Sequence, residues 1–181
     1  MNIHPVVVHF PVALLTVYAL MELIRWRKLT GKPYWFYVKA LFLMLGGLGS
    51  LVAVKTGELA VKFIQDDESL RLVLQAHEKF AKLSVVIFGV LSIGYLILWL
   101  NRENVIGRIL TAVKIAPGGF VEKVWAVLVK LARFLTETRL VILLALAGLA
   151  AITITGGLGG IMVYGPNADP FFGLIYKLLF P

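Results

Sequence analysis

The chain's candidate chemistry begins with its three histidines, His4, His9 and His77, and with an absence: it has no cysteine. Without thiols there are no disulfides, thiolate metal sites, iron–sulfur clusters or covalent c-type haem attachment. Nitrogen and oxygen ligands remain. His4 and His9 stand in "HPVVVHFP" at residues 4–11. Five residues apart, they lie about 140° round an ideal helix and about 7–8 Å along it, a poor two-ligand site on one helix. His9 is one to two turns inside an apolar run, beside Pro11, and is expected to be buried there. His77 opens another apolar run at a similar depth. His9 and His77 on different helices are therefore expected to face one another. Two imidazoles from separate helices, with no dense carboxylate cluster, favour axial ligation of a b-type haem, His4 being a supporting or alternative ligand.

A porphyrin needs walls free of side chains. Gly46, Gly47 and Gly49 in one apolar run, and Gly156, Gly157, Gly159 and Gly160 in another, are expected to supply them. Arg71, Lys79 and Lys82 fall where haem propionates would emerge. Two other readings compete. Small residues also let membrane helices pack closely, and Gly156 to Gly160 is a GxxxG. His4, His9, His77, Glu58 and Glu78 could instead hold zinc or copper, although no tight spacing such as HExxH supports this. No nucleophile motif, Walker motif or Rossmann motif occurs, because the glycine runs lie inside apolar segments.

The elements that must position these groups are membrane helices. Of 181 residues, 60% are hydrophobic, and the mean hydropathy is +0.89, far above a soluble domain. Four apolar stretches, about 5–24, 34–54, 80–100 and 140–164, can each cross a hydrocarbon core, which needs about 20 helical residues. They do not alternate as barrel strands would. The expected fold is a single all-α membrane domain over 1–181: four transmembrane helices in a bundle, plus a cytoplasmic amphipathic helix in an insertion at 104–138. No basic residue precedes the first run and no cleavage site follows it, so the first helix is expected to stay as an anchor.

The formal charge of +8 follows topology. Arg25, Arg27, Lys28 and Lys32, with Arg102, Arg108, Lys114, Lys123, Lys130, Arg133 and Arg139, place eleven basic residues on one side. Lys55, Lys62, Arg71, Lys79, Lys82 and Lys177 place six on the other, among Glu58, Asp66, Asp67, Glu68, Glu78 and Asp169. The first side is therefore expected to be cytoplasmic and both termini periplasmic, in a bacterial inner membrane. The basic excess serves topology and anionic lipid, and nucleic acid is not an expected partner.

Along the chain, Pro5 suits a first helical position and Pro11 is expected to bend that helix. "YWFY" at 34–37 forms an aromatic belt. Residues 58–76 are expected to lie along the outer surface. In 120–137, Val121, Val124, Trp125, Leu128, Leu131 and Leu135 form one stripe, expected to rest on the inner leaflet or to dock a partner. "APGG" at 116–119 is its breaker. The tail "FFGLIYKLLF" is too short to span and is expected on the outer surface. A weak parallel duplication pairs His9 and Thr56-Gly57 in one half with His77 and Thr155-Gly156 in the other.

His4-Pro5-Val6-Val7-Val8-His9-Phe10-Pro11 resembles the HPxxVHFP signature of the four-helix bacterial membrane proteins of domain-of-unknown-function family 2231. Thr56-Gly57, His77 and the glycine-rich last span running into Val163-Tyr164-Gly165 are also similar to that family, over most of the chain. The resemblance implies a four-helix inner-membrane fold and histidines that matter, in proteins that look like membrane-bound haem or redox components. The expected partners are lipid and other redox or respiratory membrane subunits, or a periplasmic cytochrome. The alternative is a cofactor-free structural or assembly subunit of a respiratory complex.

Overall fold

The computed structural model describes residues 3–24, 26–61, 68–114 and 119–180. Arg25, Lys62, Asp66, Asp67 and part of the "APGG" breaker lie outside the described residues, as does the middle of the expected 58–76 surface segment. The elements are α1 (His4–Leu23), α2 (Arg27–Thr30), α3 (Pro33–Ala60), α4 (Glu68–Arg102), α5 (Val105–Ala112), α6 (Phe120–Glu137), α7 (Leu140–Tyr164) and α8 (Pro170–Leu179). No strand occurs among the described residues. Among the described residues, four helices are long and apolar enough to cross a membrane: α1, α3, α4 from Leu70, and α7. The protein is an all-α, multi-pass membrane bundle.

The four spans form a ring, with α1 against α3, α3 against α4, α4 against α7, and α7 against α1. α1 and α4 are therefore diagonal partners. The α1–α3 pair is antiparallel, because Leu15 sits over Gly46 while Lys39 reaches Glu22. Between α4 and α7, Phe88 sits over Gly148 and His77 meets Thr155. The central core is Leu15, Tyr18, Ala19, Ala40, Leu43, Phe88, Leu91, Tyr95, Val141, Ala145 and Ile152. Apolar side chains point outward all round it, Leu48 on α3, Ile93 on α4 and Leu143 on α7 among them, as hydrocarbon-facing surfaces do.

Two spans run further than their apolar stretches. α3 continues to Ala60 and α4 begins at Glu68, so much of the expected surface segment is helix in line with the spans. The reason is packing: Val73 is buried with Leu158, Ile161 and Ile175, and Ala76 and Phe80 pack beside them. α8 makes that packing possible. Asp169 caps it by accepting from Phe171 N at 2.8 Å, with Pro170 in its first turn. Ile175 and Phe172 then fill the space left by Gly157 and Gly160 of α7. Gly165, at φ +84°, turns the chain out of α7.

α6 keeps most of its expected apolar stripe outward and packs its other side on the bundle. It packs on α4 and α7 through Trp125, Val129, Ala132 and Thr136. Trp125 Nε1 donates to Asn101 at 3.3 Å, and Thr136 lies against Gly94. The expected stripe residues Val121, Val124, Leu128 and Leu131 are exposed. The face that meets protein joins the apolar Trp125 and Val129 to Ala132 and Thr136, whose small size lets the helices approach.

Candidate functional site

The polar groups inside the bundle gather at its two ends. At one end stand the histidines. His4 is in the first turn of α1, and its Nδ1 is 2.9 Å from Thr56 Oγ1. Thr56 gives its own proton to Ala53 O at 3.0 Å, so it accepts from His4 Nδ1–H. The Ala53 carbonyl also acts on the His4 ring. A Cβ on Gly57 would stand 3.1 Å from His4 Cε1, so the ring lies close against the α3 backbone. His77, on the diagonal helix α4, has Nδ1 2.9 Å from Thr155 O. A carbonyl only accepts, so His77 carries its proton on Nδ1 and a lone pair on Nε2. Gly159 leaves room beside this ring, its would-be Cβ 3.6 Å from Cε1. Both rings are half-buried, and His4 is among the groups that act electrostatically on His77.

His9 is elsewhere. It is exposed, and its Nδ1 is engaged by Pro5 O, four residues back on its own helix. The 140° that separates it from His4 decides this: the face that buries Pro11, Leu15, Tyr18 and Glu22 carries His4 inward and turns His9 out. The burial expected for His9 is therefore corrected. The duplication is corrected with it, since Thr56-Gly57 holds His4, as Thr155 holds His77.

The glycines divide. Gly46 is filled by Leu15, Gly49 by Phe10 and Pro11, and Gly160 by Phe172. These three serve helix contacts. Gly47 faces Ser92 Oγ, and Gly156 has nothing within 4 Å of its would-be Cβ. Arg71 and Lys79 are exposed at the histidine end. Among the described residues no three His, Asp or Glu side chains converge as a metal site requires. The carboxylates of the zinc or copper reading are engaged elsewhere: Glu58 pairs with Lys55 at 3.0 Å and Glu78 with Lys82 at 3.3 Å, both pairs exposed.

The opposite end holds a cluster that sequence reasoning missed. Glu22 is 2% exposed. Its Oε2 accepts from Lys39 Nζ of α3 at 2.8 Å, and its Oε1 from Tyr95 OH of α4 at 2.5 Å. Lys39 also lies over the Tyr95 ring, 5.4 Å from the centroid. Tyr18 packs edge-on against Tyr95 at 5.9 Å, and its buried hydroxyl lies beside Glu22 and Tyr95 without forming a well-aligned hydrogen bond to either. The signal was available: one carboxylate inside "TVYALMELI" and one ammonium inside "YVKALF" are costly in a membrane unless they meet.

A family model described as "predicted membrane protein", domain-of-unknown-function family 2231, matches residues 1–168. The chain belongs to this family, and the match ends just before α8. Neither the curated proteins nor the solved structures contain a significant match.

Proposed function

We propose that this member of domain-of-unknown-function family 2231 is a membrane-embedded electron-transfer protein that binds one b-type haem at its histidine end, with His77 and His4 as the axial ligands. One observation carries the reading. Two imidazoles from diagonal helices share one end of the bundle, and the Thr155 carbonyl fixes the tautomer of His77 that presents Nε2 as a ligand. A backbone acceptor on Nδ1 is what orients a metal-ligating histidine and raises its basicity. The donor set fits haem better than a bare ion, because it offers two neutral nitrogens and no converging third ligand.

The bound group would supply one-electron redox chemistry. The protein's part is positioning. Thr56 and Thr155 hold the rings, and Gly57 and Gly159 let them lie close to the backbone. Arg71 and Lys79 bring positive charge to the same end, where carboxylates of a cofactor would be solvated. The distribution of Lys and Arg supports a periplasmic location for this end in a bacterial inner membrane. A periplasmic cytochrome or other respiratory membrane subunits are then the natural partners, with lipid around the spans.

The test is a reduced-minus-oxidised visible spectrum of protein purified in mild detergent from cells with ample haem. A Soret band with sharp α and β bands is expected. It is lost in His77→Ala and His4→Ala and retained in His9→Ala. Folded, colourless wild-type protein would overturn the reading. That outcome would favour a cofactor-free structural or assembly subunit, which the filling of Gly46, Gly49 and Gly160 by neighbouring side chains already supports.

A further inference from the structure

The end opposite the histidines carries a second arrangement with redox chemistry in it, independent of what the histidines bind. Four aromatic rings run in contact from the bundle interior towards its surface. Tyr95 stacks on Phe36, with centroids 5.3 Å apart and planes 24° from parallel. Phe36 meets Tyr37 at 5.3 Å, and Tyr37 meets Trp99 at 5.9 Å. Tyr95 is 1% exposed, whereas Tyr37 and Trp99 are only half-buried. Both tyrosines donate their phenol proton to a carboxylate: Tyr95 to Glu22 at 2.5 Å, and Tyr37 to Glu103 at 2.7 Å.

A phenol that loses an electron must also lose its proton, and it does so easily only when an acceptor is already within hydrogen-bond reach. Packing alone explains the rings. It does not explain why each of the two tyrosines flanking Phe36 holds a carboxylate. We propose that Tyr95, Phe36, Tyr37 and Trp99 form a one-electron relay between the bundle interior and its surface, with Tyr95–Glu22 as the buried station where electron and proton part. The step balances as follows. Through Phe36, Tyr37 and Trp99, Tyr95–OH gives one electron to a metal-complex one-electron oxidant at the surface, the class that tris(bipyridine)ruthenium(III) represents, and its proton to Glu22 Oε1. The products are a neutral tyrosyl radical, a glutamic acid and the reduced oxidant.

The surroundings fix which rings serve as stations. Arg102 lies 3.9 Å over the Phe36 ring, so positive charge is disfavoured there and Phe36 acts as a bridge. Tyr18 touches Tyr95, but its other ring contact is Phe88 in the core, so it lies off the path to the surface. Lys39 stays bonded to the Glu22 carboxyl group and keeps it aimed at Tyr95. α7 brings the apolar Val141 and Ala145 to the cluster, which shields a radical from water.

The chain has six tyrosines, so the test begins from Tyr34→Phe/Tyr164→Phe/Tyr176→Phe, which leaves only Tyr18, Tyr37 and Tyr95. Purified protein is oxidised by flash-generated tris(bipyridine)ruthenium(III), and the radical is read by electron paramagnetic resonance. A long-lived neutral tyrosyl signal is expected. Adding Tyr95→Phe should abolish the long-lived part, and adding Tyr37→Phe should remove most of its yield. Adding Glu22→Gln, which keeps the shape but removes the proton acceptor, should also remove most of it. The proposal is overturned by the lack of a tyrosyl signal in the starting variant, or by yields unchanged in Tyr95→Phe, Tyr37→Phe or Glu22→Gln. The spectrum that tests haem binding is read separately, so either reading can fail while the other stands.

Discussion

Removing one partner of the buried ion pair should expose an asymmetry between the two. The side chain of Glu22 is 1% exposed and that of Lys39 is 14% exposed. In Lys39→Met the carboxylate keeps only the Tyr95 donor and is too short to reach water. Breaking a buried pair this way costs about 3–5 kcal/mol. Glu22→Gln leaves Lys39 instead, whose four-carbon stem can carry its ammonium to the interface. That loss should approach an ordinary charged hydrogen bond, about 1.5–3 kcal/mol. The double variant Glu22→Leu/Lys39→Met removes both charges and leaves only the Tyr95 hydroxyl without its acceptor, at about 1–3 kcal/mol. Lys39→Met should therefore be the least stable of the three. Reversible unfolding in mixed micelles measures it, or thermal midpoints, where 1 kcal/mol corresponds to roughly 2–4 °C for a chain of this size. If Lys39→Met unfolds within about 0.5 kcal/mol of wild type, or if Glu22→Gln is the worse variant, the pair does not hold the ends of α1, α3 and α4 together as described.

Other substitutions probe the packing that positions the two ends. A Cβ on Gly148 would stand 2.7 Å from Phe88 Cζ, so Gly148→Val should cost about 1–3 kcal/mol, and Phe88→Leu should restore part of it in the same unfolding assay. Gly156 has open space beside it, so Gly156→Ala should stay within about 0.5 kcal/mol of wild type. Gly160→Leu should drive Phe172 and α8 off α7, read as faster amide exchange over Pro170–Leu179 than in wild type. Asp169→Ala removes the cap of the same helix, costs about 0.5–2 kcal/mol, and should raise exchange over α8 while leaving α1 unchanged.

The spans were legible because their signal is coarse. Leu140–Tyr164 matches the expected 140–164 stretch, since a run of uniform hydrophobicity needs no partner to be recognised. The start of α4 was not legible: "ESLRLVLQAH" is mixed in charge, and what keeps it helical in line with the span is Ile175 of α8, a tertiary contact. The side of α6 that packs on the bundle was not legible for a related reason. Its most apolar stripe points outward, and Val129, Ala132 and Thr136 meet the bundle because close approach, rather than hydrophobicity, selects the packing face. At the site, His4 and His77 were both visible as chemistry, but His4 was set below His9 on sequence depth alone. Glu22 and Lys39 escape a count of charge by side of the membrane, which has no place for charges inside it.

Those overlooked residues carry the information that was needed. Eighteen residues are five turns of an α-helix, so positions 18 apart share a face. Glu22 must face the interior, because a carboxylate in hydrocarbon needs a partner. His4 is 18 residues before it and therefore faces inward too, while His9 points away. The same spacing links His77 to Tyr95 on the diagonal helix, and the correspondence extends inward. Residues 4, 11, 15, 18 and 22 of α1 and 77, 84, 88, 91 and 95 of α4 form two inward faces with identical spacing, and all but the two histidines are buried. This is the parallel repeat in its correct register, offset by 73 residues, with Glu22 and Tyr95 at equivalent positions and bonded to each other across the bundle. Each helix of the diagonal pair thus brings one histidine to one end and one member of the Glu22–Tyr95 bond to the other, about 27 Å away. That span is close to the thickness of the hydrocarbon core, which explains why the interior between the two polar ends is apolar apart from single hydroxyls such as Tyr18 and Ser84.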